Sequence, residues 1–351
     1  MRMRNFLNFT ALISLLLLAS CNLDVNTKNF TQGGDSTMVH GDSVKTRAYD
    51  GLTVVGNQLY TAWGDTLMLR GVNMAWAWYR ETGMGQLEAI GRTGANAVRV
   101  VLADGGQWPA TPLDEVAFIV EECRKFGMVA ILEAHDETGN DSTEALLRAA
   151  RYFADMASYL SGTENFVIIN IANEWMKACD DESWMKSYAS AISLIRSAGL
   201  KHCIMVDSNG YGQGAVSVIS KGTQLLSFDP ERNVIFSVHM YGTAGNTRRV
   251  RTIIDQITKQ NLALCIGEFG WYHSDGDVDE DLIMACCDSA QVGWLAWSWY
   301  GNSGGVEYLD LVKESGNEAA FNTPVINDSL SCEWGRKVIE AIRKESVKKR
   351  L

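Results

Sequence analysis

The feature that most constrains this chain is a short apolar run that returns eight times. The runs are MLRGVNM (68–74), NAVRVVL (96–102), MVAILEA (128–134), FVIINIA (166–172), CIMVD (203–207), VIFSVHM (234–240), LALCIGEF (262–269) and GWLAWSW (293–299). Each has the length of one buried strand. Between them lie stretches with apolar residues at helical spacing, such as DEVAFIVEECRKFG (114–127), TEALLRAARYFADMASYL (143–160) and RRVRTIIDQITKQ (248–260). Parallel strands need a crossover, and strict alternation of strand and helix supplies one each time. Eight such units predict an α/β fold, a closed (β/α)8 TIM barrel rather than an open sheet. The stretch CEWGRKVIEAIRKE (332–345) completes the helical ring. Upstream, LTVVGNQLYT places two β-rich runs around Gly56-Asn57, a hairpin expected to plug the barrel bottom. One domain, residues 47–346, takes nearly all of the chain.

The N-terminus reads as an address. Arg2 and Arg4 precede the apolar segment ALISLLLL, which is shorter than the ~20 residues a membrane span requires. Residues 1–20 therefore read as an export signal. Leu18-Ala19-Ser20-Cys21 resembles the bacterial lipobox, which implies a lipid on Cys21 and an exported lipoprotein anchored on the periplasmic or cell-surface face of a membrane. Residues 21–46, polar and aperiodic after the cysteine, read as a flexible tether.

Thirty-one basic and 42 acidic residues leave a net charge of −11, which repels phosphate backbones and argues against nucleic acid as a partner. Seven cysteines follow Cys21, an odd number without a C-x-x-C pair, so neither a disulfide scaffold nor a structural zinc site is expected. Five histidines lack H-E-x-x-H spacing, and the glycines at 210, 212 and 214 match neither a dinucleotide fingerprint nor a P-loop, so no metal and no cofactor is expected. The acidic run from Asp275 to Asp281 lacks EF-hand spacing and reads as a solvated loop. Tryptophan, at 11 residues, equals phenylalanine and tyrosine. Some of these rings belong in the core, and others suit a flat, uncharged ligand such as a sugar ring.

In a barrel of this type chemistry sits at the C-terminal strand ends. Those ends carry Arg99, His135, Asn173 and Glu174, His239 and Tyr241, Glu268, and Trp297 with Trp299. An acid directly after an apolar strand is costly to bury unpaired, and here two occur, after the fourth and seventh strands. Two facing carboxylates suit glycoside hydrolysis, where one protonates the leaving oxygen and the other attacks the anomeric carbon. Glu174, beside Asn173 and Trp175, is the expected acid/base. Glu268, with Arg99 in reach to hold it anionic, is the expected nucleophile.

Six stretches in order carry a resemblance: TGANAVRVVLADGGQW (93–108), EAHDETG (133–139), NIANEW (170–175), FSVHMYGTAG (236–245), IGEFGWYHSDGDVDED (266–281) and WLAWSWYGNSGG (294–305). The set resembles glycoside hydrolase family 5 of clan A, and more narrowly the bacterial endo-β-1,4-mannanases of subfamily 8. The resemblance implies a retaining endo-acting enzyme that cleaves β-1,4-mannosidic bonds through a covalent glycosyl-enzyme. It assigns Glu174 as acid/base and Glu268 as nucleophile. It places Arg99, His135, Asn173, His239, Tyr241 and Trp297 on the substrate side. Three departures stand out: Met74 where the family has His, Tyr211 where it has Trp, and Tyr300 where it commonly has Lys. They bear on subsites rather than on the reaction. A β-1,4-glucanase of the same fold is the competing reading, separated by the axial 2-hydroxyl of mannose. A non-catalytic glycan-binding protein would be expected to have lost one of the two glutamates.

Overall fold

The computed structural model describes residues 37–40, 43–242, 244–274, 276–312 and 332–348. The export signal and Cys21 lie outside the described residues. Eight parallel strands close into a barrel. They are β1 (Arg70–Met74), β2 (Ala97–Leu102), β3 (Val129–Ala134), β4 (Val167–Asn170), β5 (Cys203–Asp207), β6 (Val234–Met240), β7 (Leu264–Phe269) and β8 (Gly293–Ala296). Each falls inside one of the eight apolar runs. β8 pairs with β1 through Trp294↔Arg70 and Ala296↔Val72, which closes the ring. Among the described residues, no helix is long and apolar enough to cross a membrane.

The helices that follow the strands are α1 (Arg80–Arg92), α2 (Leu113–Lys125), α3 (Thr143–Asp155), α4 (Asp181–Ser197), α5 (Val216–Phe228), α6 (Thr247–Thr258), α7 (Glu280–Ala290) and α8 (Glu333–Lys348). α2 shows why they form. Val116, Ile119, Val120 and Cys123 recur at helical spacing, and all four are buried against the outward strand faces. The single helix expected over 143–160 is broken at Met156, whose ψ of 8° ends α3 before a short turn of helix at Ala157–Leu160. The break lets both Met156 and Leu160 face the core.

Side chains alternate along the strands, with one irregularity in β7. Val98, Val100 and Leu102 of β2 point outward to the helices, while Ala97 belongs to the cluster inside the barrel bottom. That inner cluster also contains Ile131, Ile168, Met205, Ile235 and Leu295, together with Leu52, Val54 and Leu59 of the N-terminal hairpin. The hairpin (Thr53–Val55 paired with Gln58–Tyr60) therefore plugs the bottom. Gly56 turns it at φ 65°, a conformation that costs other residues energy. Asn233 latches it in place, accepting from the Val54 amide at 2.9 Å and donating to the Leu52 carbonyl at 2.9 Å. Burying these aliphatic side chains at one end leaves the polar residues of the same inward phase to meet at the other.

Part of the segment read as a tether is paired rather than irregular: Thr37–His40 runs antiparallel to Ser43–Thr46. The β-branched Thr37, Val39, Val44 and Thr46 favour that extended conformation. In the acidic run after β7, Asp279, Glu280 and Asp281 have structural partners. Asp279 caps α7 by accepting from the Leu282 amide at 3.2 Å, and Glu280 and Asp281 pair with Lys337 at 2.5 and 3.0 Å.

Candidate active site

Of the nine strand-end residues singled out in the sequence, all but Trp299 converge at the C-terminal mouth of the barrel. Most of them line a cleft of about 400 Å³, together with Tyr211, Gln213 and His273. Arg99 lies beneath it, fully buried.

Arg99 is the hub. Its Nη1 donates to Glu268 Oε1 at 2.8 Å and to Asn73 Oδ1 at 3.0 Å. Its Nη2 donates to Asn173 Oδ1 at 2.8 Å and lies 3.4 Å from Asp207 Oδ2, and its Nε donates to Asn170 Oδ1 at 2.7 Å. Burial alone would lower the guanidinium pKa, but the charges of Glu133, Asp207 and Glu268 outweigh it and raise it further. A buried cation with every donor aimed at an acceptor is a rigid scaffold, because losing any partner strands a charge out of water.

Glu268 owes its direction to an irregularity in β7. The β6–β7 register shifts after Val238↔Ile266 so that His239 pairs with Glu268. The extra residue, Gly267, turns Glu268 into the barrel instead of leaving it in the outward phase of Ile266. There Glu268 Oε2 accepts from Tyr241 Oη at 2.9 Å, while Oε1 holds Arg99. Burial and the neighbouring Glu268 charge push the Tyr241 phenol well above its ordinary pKa, so it stays a donor.

Glu174 sits on a strained turn after β4 with φ 44°. Three loops fix that turn. Its amide donates to Asp207 Oδ2 at 3.0 Å, its carbonyl accepts from the Gly139 amide at 3.1 Å, and Met176 bonds to both Asn140 and Gly210. The carboxyl is half-buried, and its Oε1 meets His239 Nδ1 at 2.8 Å. Burial raises the Glu174 pKa, and the hydrogen bond and charge of His239 only partly offset this. Burial also opposes charging of His239. The carboxylates of Glu268, Asp207 and Glu174 prevail and raise it to about 9. His239 is thus an imidazolium near neutral pH, with Nδ1 toward Glu174 and Nε2 3.4 Å from Asp207 Oδ2. The loop after β5 presses on this ring: a Cβ on Gly212 would lie 2.6 Å from it, at φ 70°.

An oxygen of Glu174, an oxygen of Glu268 and a nitrogen of His239 all lie within 4.8 Å of one another. Ligand atoms at such spacing could surround an ion. Here Glu268 is already paired with Arg99 at 2.8 Å and Tyr241 at 2.9 Å, and Glu174 with His239 at 2.8 Å. The residues fit proton transfer better than metal binding.

His135 Nδ1 lies 3.0 Å from Glu133 Oε1, and its ring stacks on Trp297 with centroids 5.7 Å apart at 24°. Trp78 meets the His135 ring edge-on at 5.0 Å. Asn173 donates to Thr138 Oγ1 at 2.8 Å while its Oδ1 is held by Arg99. Trp175 and Trp299 are fully buried core rings, not sugar platforms. Of the three departures, Tyr211 is exposed on the cleft, Met74 is core, and Tyr300 packs edge-on against Tyr79 at 5.8 Å.

Sequence reasoning missed Asn73, Glu133, Asn170 and Asp207, all fully buried. Their signal was present: each is a polar residue interrupting an apolar strand, in the same inward phase as Arg99 or its neighbours.

A family model described as cellulase (glycosyl hydrolase family 5) matches residues 60–303. The chain belongs to glycosyl hydrolase family 5. This family 5 chain is 45% identical over 265 residues to a mannan endo-1,4-β-mannosidase of Salipaludibacillus agaradhaerens, covering 75% of this chain and 86% of that protein. It is 39% identical over 269 residues to a mannan endo-1,4-β-mannosidase of Streptomyces lividans, covering 76% of this chain and 70% of that one. Among solved structures, a β-mannanase from Thermomonospora fusca superposes on this family 5 fold with a TM-score of 0.76 at 33% identity, over 83% of this chain and 94% of that one. A mannohexaose complex of the same β-mannanase superposes at 0.74.

Proposed function

We propose that this family 5 chain is an endo-acting β-1,4-mannanase that hydrolyses mannan-type polysaccharides with retention of configuration. The observation that carries the reading is the approach of Glu174 and Glu268, whose nearest carboxyl atoms share a 4.8 Å cluster with His239. Retaining glycosidases place the two carboxyl groups ~5–5.5 Å apart, whereas inverting enzymes leave roughly 6.5–9.5 Å for a water.

The chemistry follows from the two environments. Glu268, aimed by Arg99 and Tyr241, attacks the anomeric carbon as the carboxylate. Glu174, whose proton is retained by burial, passes it to the departing glycosidic oxygen. The ester to Glu268 is then cleaved by a water that gives its proton to the Glu174 carboxylate, which restores both groups. Two inversions yield net retention. His239 sits against both carboxylates and steadies their charge between the steps. Trp297, backed by His135, supplies a flat apolar face for a pyranose ring. Asn173, fixed between Arg99 and Thr138, faces the 2-hydroxyl of the cleaved sugar.

The choice of mannan is supported by 45% and 39% identity to two mannan endo-1,4-β-mannosidases. Reducing-sugar release from linear mannan, galactomannan, glucomannan and a soluble cellulose, assayed side by side, tests it. Mannans should be cleaved fastest, with viscosity falling before small sugars accumulate. Equal or faster cleavage of the cellulose would replace this reading with the β-1,4-glucanase alternative.

Within the family we assign the chain to subfamily 8, supported by the run IGEFG followed by HSDGDVDED. We also propose that it is an exported lipoprotein held to a bacterial membrane by a lipid on Cys21, supported by the lipobox behind a short apolar segment. Changing Cys21→Ser should move the protein from the membrane to the soluble fraction. A wild type that is fully soluble after export would refute the anchor.

A further inference from the structure

The wall of the cleft has a second side. The hairpin Tyr272–His273 with Gly276–Asp277 alternates its side chains across that wall. His273 turns inward, its ring 4.8 Å from that of Tyr241, while Tyr272 is 40% exposed. Leu309 likewise lines the cleft, and its neighbour Tyr308 lines a separate pocket with Trp271. This pocket measures about 390 Å³, close to the size of the catalytic cleft, and has Trp334 as its buried floor.

We propose that this pocket is a second carbohydrate-binding site, which takes pyranose residues of a neutral β-linked polysaccharide. Three observations carry it. First, Trp271 and Tyr272 are exposed, Tyr308 is half-buried between them, and all three are braced. Trp271 lies 5.7 Å from Tyr308 at 77°, Tyr272 lies 5.6 Å from Tyr308 at 70°, and Trp271 Nε1 donates to the Tyr308 carbonyl at 2.9 Å. The indole has used its polar atom, so what it offers a ligand is a flat apolar surface already fixed in place, and little side-chain freedom is lost on binding. Second, the rim is polar. The Glu280–Lys337 pair at 2.5 Å and the exposed Glu333 stand around the aromatic floor, able to accept from and donate to hydroxyls at a ring's edge. Third, the charge selects. Carboxylates on the rim of a chain of net charge −11 oppose phosphates and acidic polymers, whereas a neutral sugar meets no such barrier. The site also adjoins the catalytic cleft, for Trp334 Nε1 donates to the carbonyl of Trp297 at 3.2 Å. A polysaccharide held here keeps further bonds of the same substrate near the cleft.

The identity of the polysaccharide rests on the mannanase reading. The test uses the full chain carrying Glu268→Ala, so that substrate is not consumed, in native gels containing galactomannan, glucomannan or a soluble cellulose. Adding Trp271→Ala or Tyr308→Ala should weaken retardation by the mannans on the order of fivefold to tenfold. Trp271→Phe should restore most of it, and the surface change Glu333→Gln, which cannot disturb the core, should weaken it to a smaller degree. Thermal midpoints confirm that each variant is folded. Unchanged retardation in a folded Trp271→Ala variant, or in Tyr308→Ala and Glu333→Gln together, overturns the site. If the parent is retarded by cellulose instead of mannan and Trp271→Ala weakens that, the site stands and the substrate reading falls. If no polysaccharide retards the parent, both fall.

Discussion

The amide of Glu174 donates to Asp207 Oδ2 at 3.0 Å, and the same oxygen lies 3.4 Å from both Arg99 Nη2 and His239 Nε2. One carboxylate thus ties the acid/base candidate, through its backbone, to the cation that aims the opposite glutamate. Asn170 completes the arrangement by donating to the other Asp207 oxygen at 3.1 Å. Asp207 touches no part of the open cleft. It acts through its neighbours, holding a left-handed Glu174 where a nonglycine residue is strained.

Asp207→Ala should therefore lower kcat on mannan by about 10²-fold with a smaller effect on KM, since misplacement of a catalytic group by about 1 Å costs that much. Asp207→Asn keeps an acceptor but removes a charge that supports the imidazolium. The titration of His239, followed by its ring C–H resonances, should then move to lower pH. A merely structural role would leave that titration in place.

The two glutamates should fail in different ways. Glu268→Ala should abolish the covalent intermediate and leave oligosaccharide bound but uncleaved. Glu174→Ala should retain glycosylation by substrates with activated leaving groups, which need little protonation. Added azide should then restore turnover and release a β-glycosyl azide. Near wild-type hydrolysis of mannan by Glu268→Ala would refute the mechanism.

Arg99→Lys is a severe change despite the conserved charge. Five oxygens around Arg99 are met by three nitrogens in a planar fork, and an ammonium cannot reproduce that geometry. Activity should drop at least about 10²-fold, by the same misplacement argument. Steady-state kinetics beside a thermal melt will separate the catalytic loss from any loss of fold.

Stability should decline on the alkaline side. Burial, then the adjacent Asp136 and Glu137, raise Asp104 from 3.8 to about 8, and His239 is raised from 6.5 to about 9. For a raised group the stabilisation is complete below its ordinary value and is lost as pH climbs through the folded one. The thermal midpoint should thus fall from near pH 6 toward pH 10. Asp104→Asn mimics the protonated acid and can still accept from the Gly106 amide, now 2.9 Å from Asp104 Oδ1. It should flatten the part of the decline between about pH 4 and pH 8 and leave the part due to His239. Parallel melting curves for both proteins would contradict this.

Local pattern made the barrel legible. Each strand is an apolar run of its own, and α2 announces itself by the spacing of Val116, Ile119, Val120 and Cys123. Glu174 and Glu268 were legible for a different reason: an ionisable group at the end of an apolar run is rare without a task. The break at Met156 and the pairing of Thr37–His40 with Ser43–Thr46 were not, because each depends on small local preferences that packing or pairing can override.

By itself, then, the order of residues determined the fold class, the hairpin around Gly56 and the set of polar groups delivered to one end of the strands. Only the closed barrel decided which of them meet. A period of two says that Asn73, Arg99, Glu133, Asn170 and Asp207 share the inward phase within their strands, but contact across the interior depends on the stagger of eight strands around the ring. That stagger is a property of long-range pairing, as is the shift that turns Glu268 inward beside His239. It brings residues as distant in sequence as Arg99 and Glu268 to 2.8 Å, in a dry interior where their charges are weakly screened and each must find its partner.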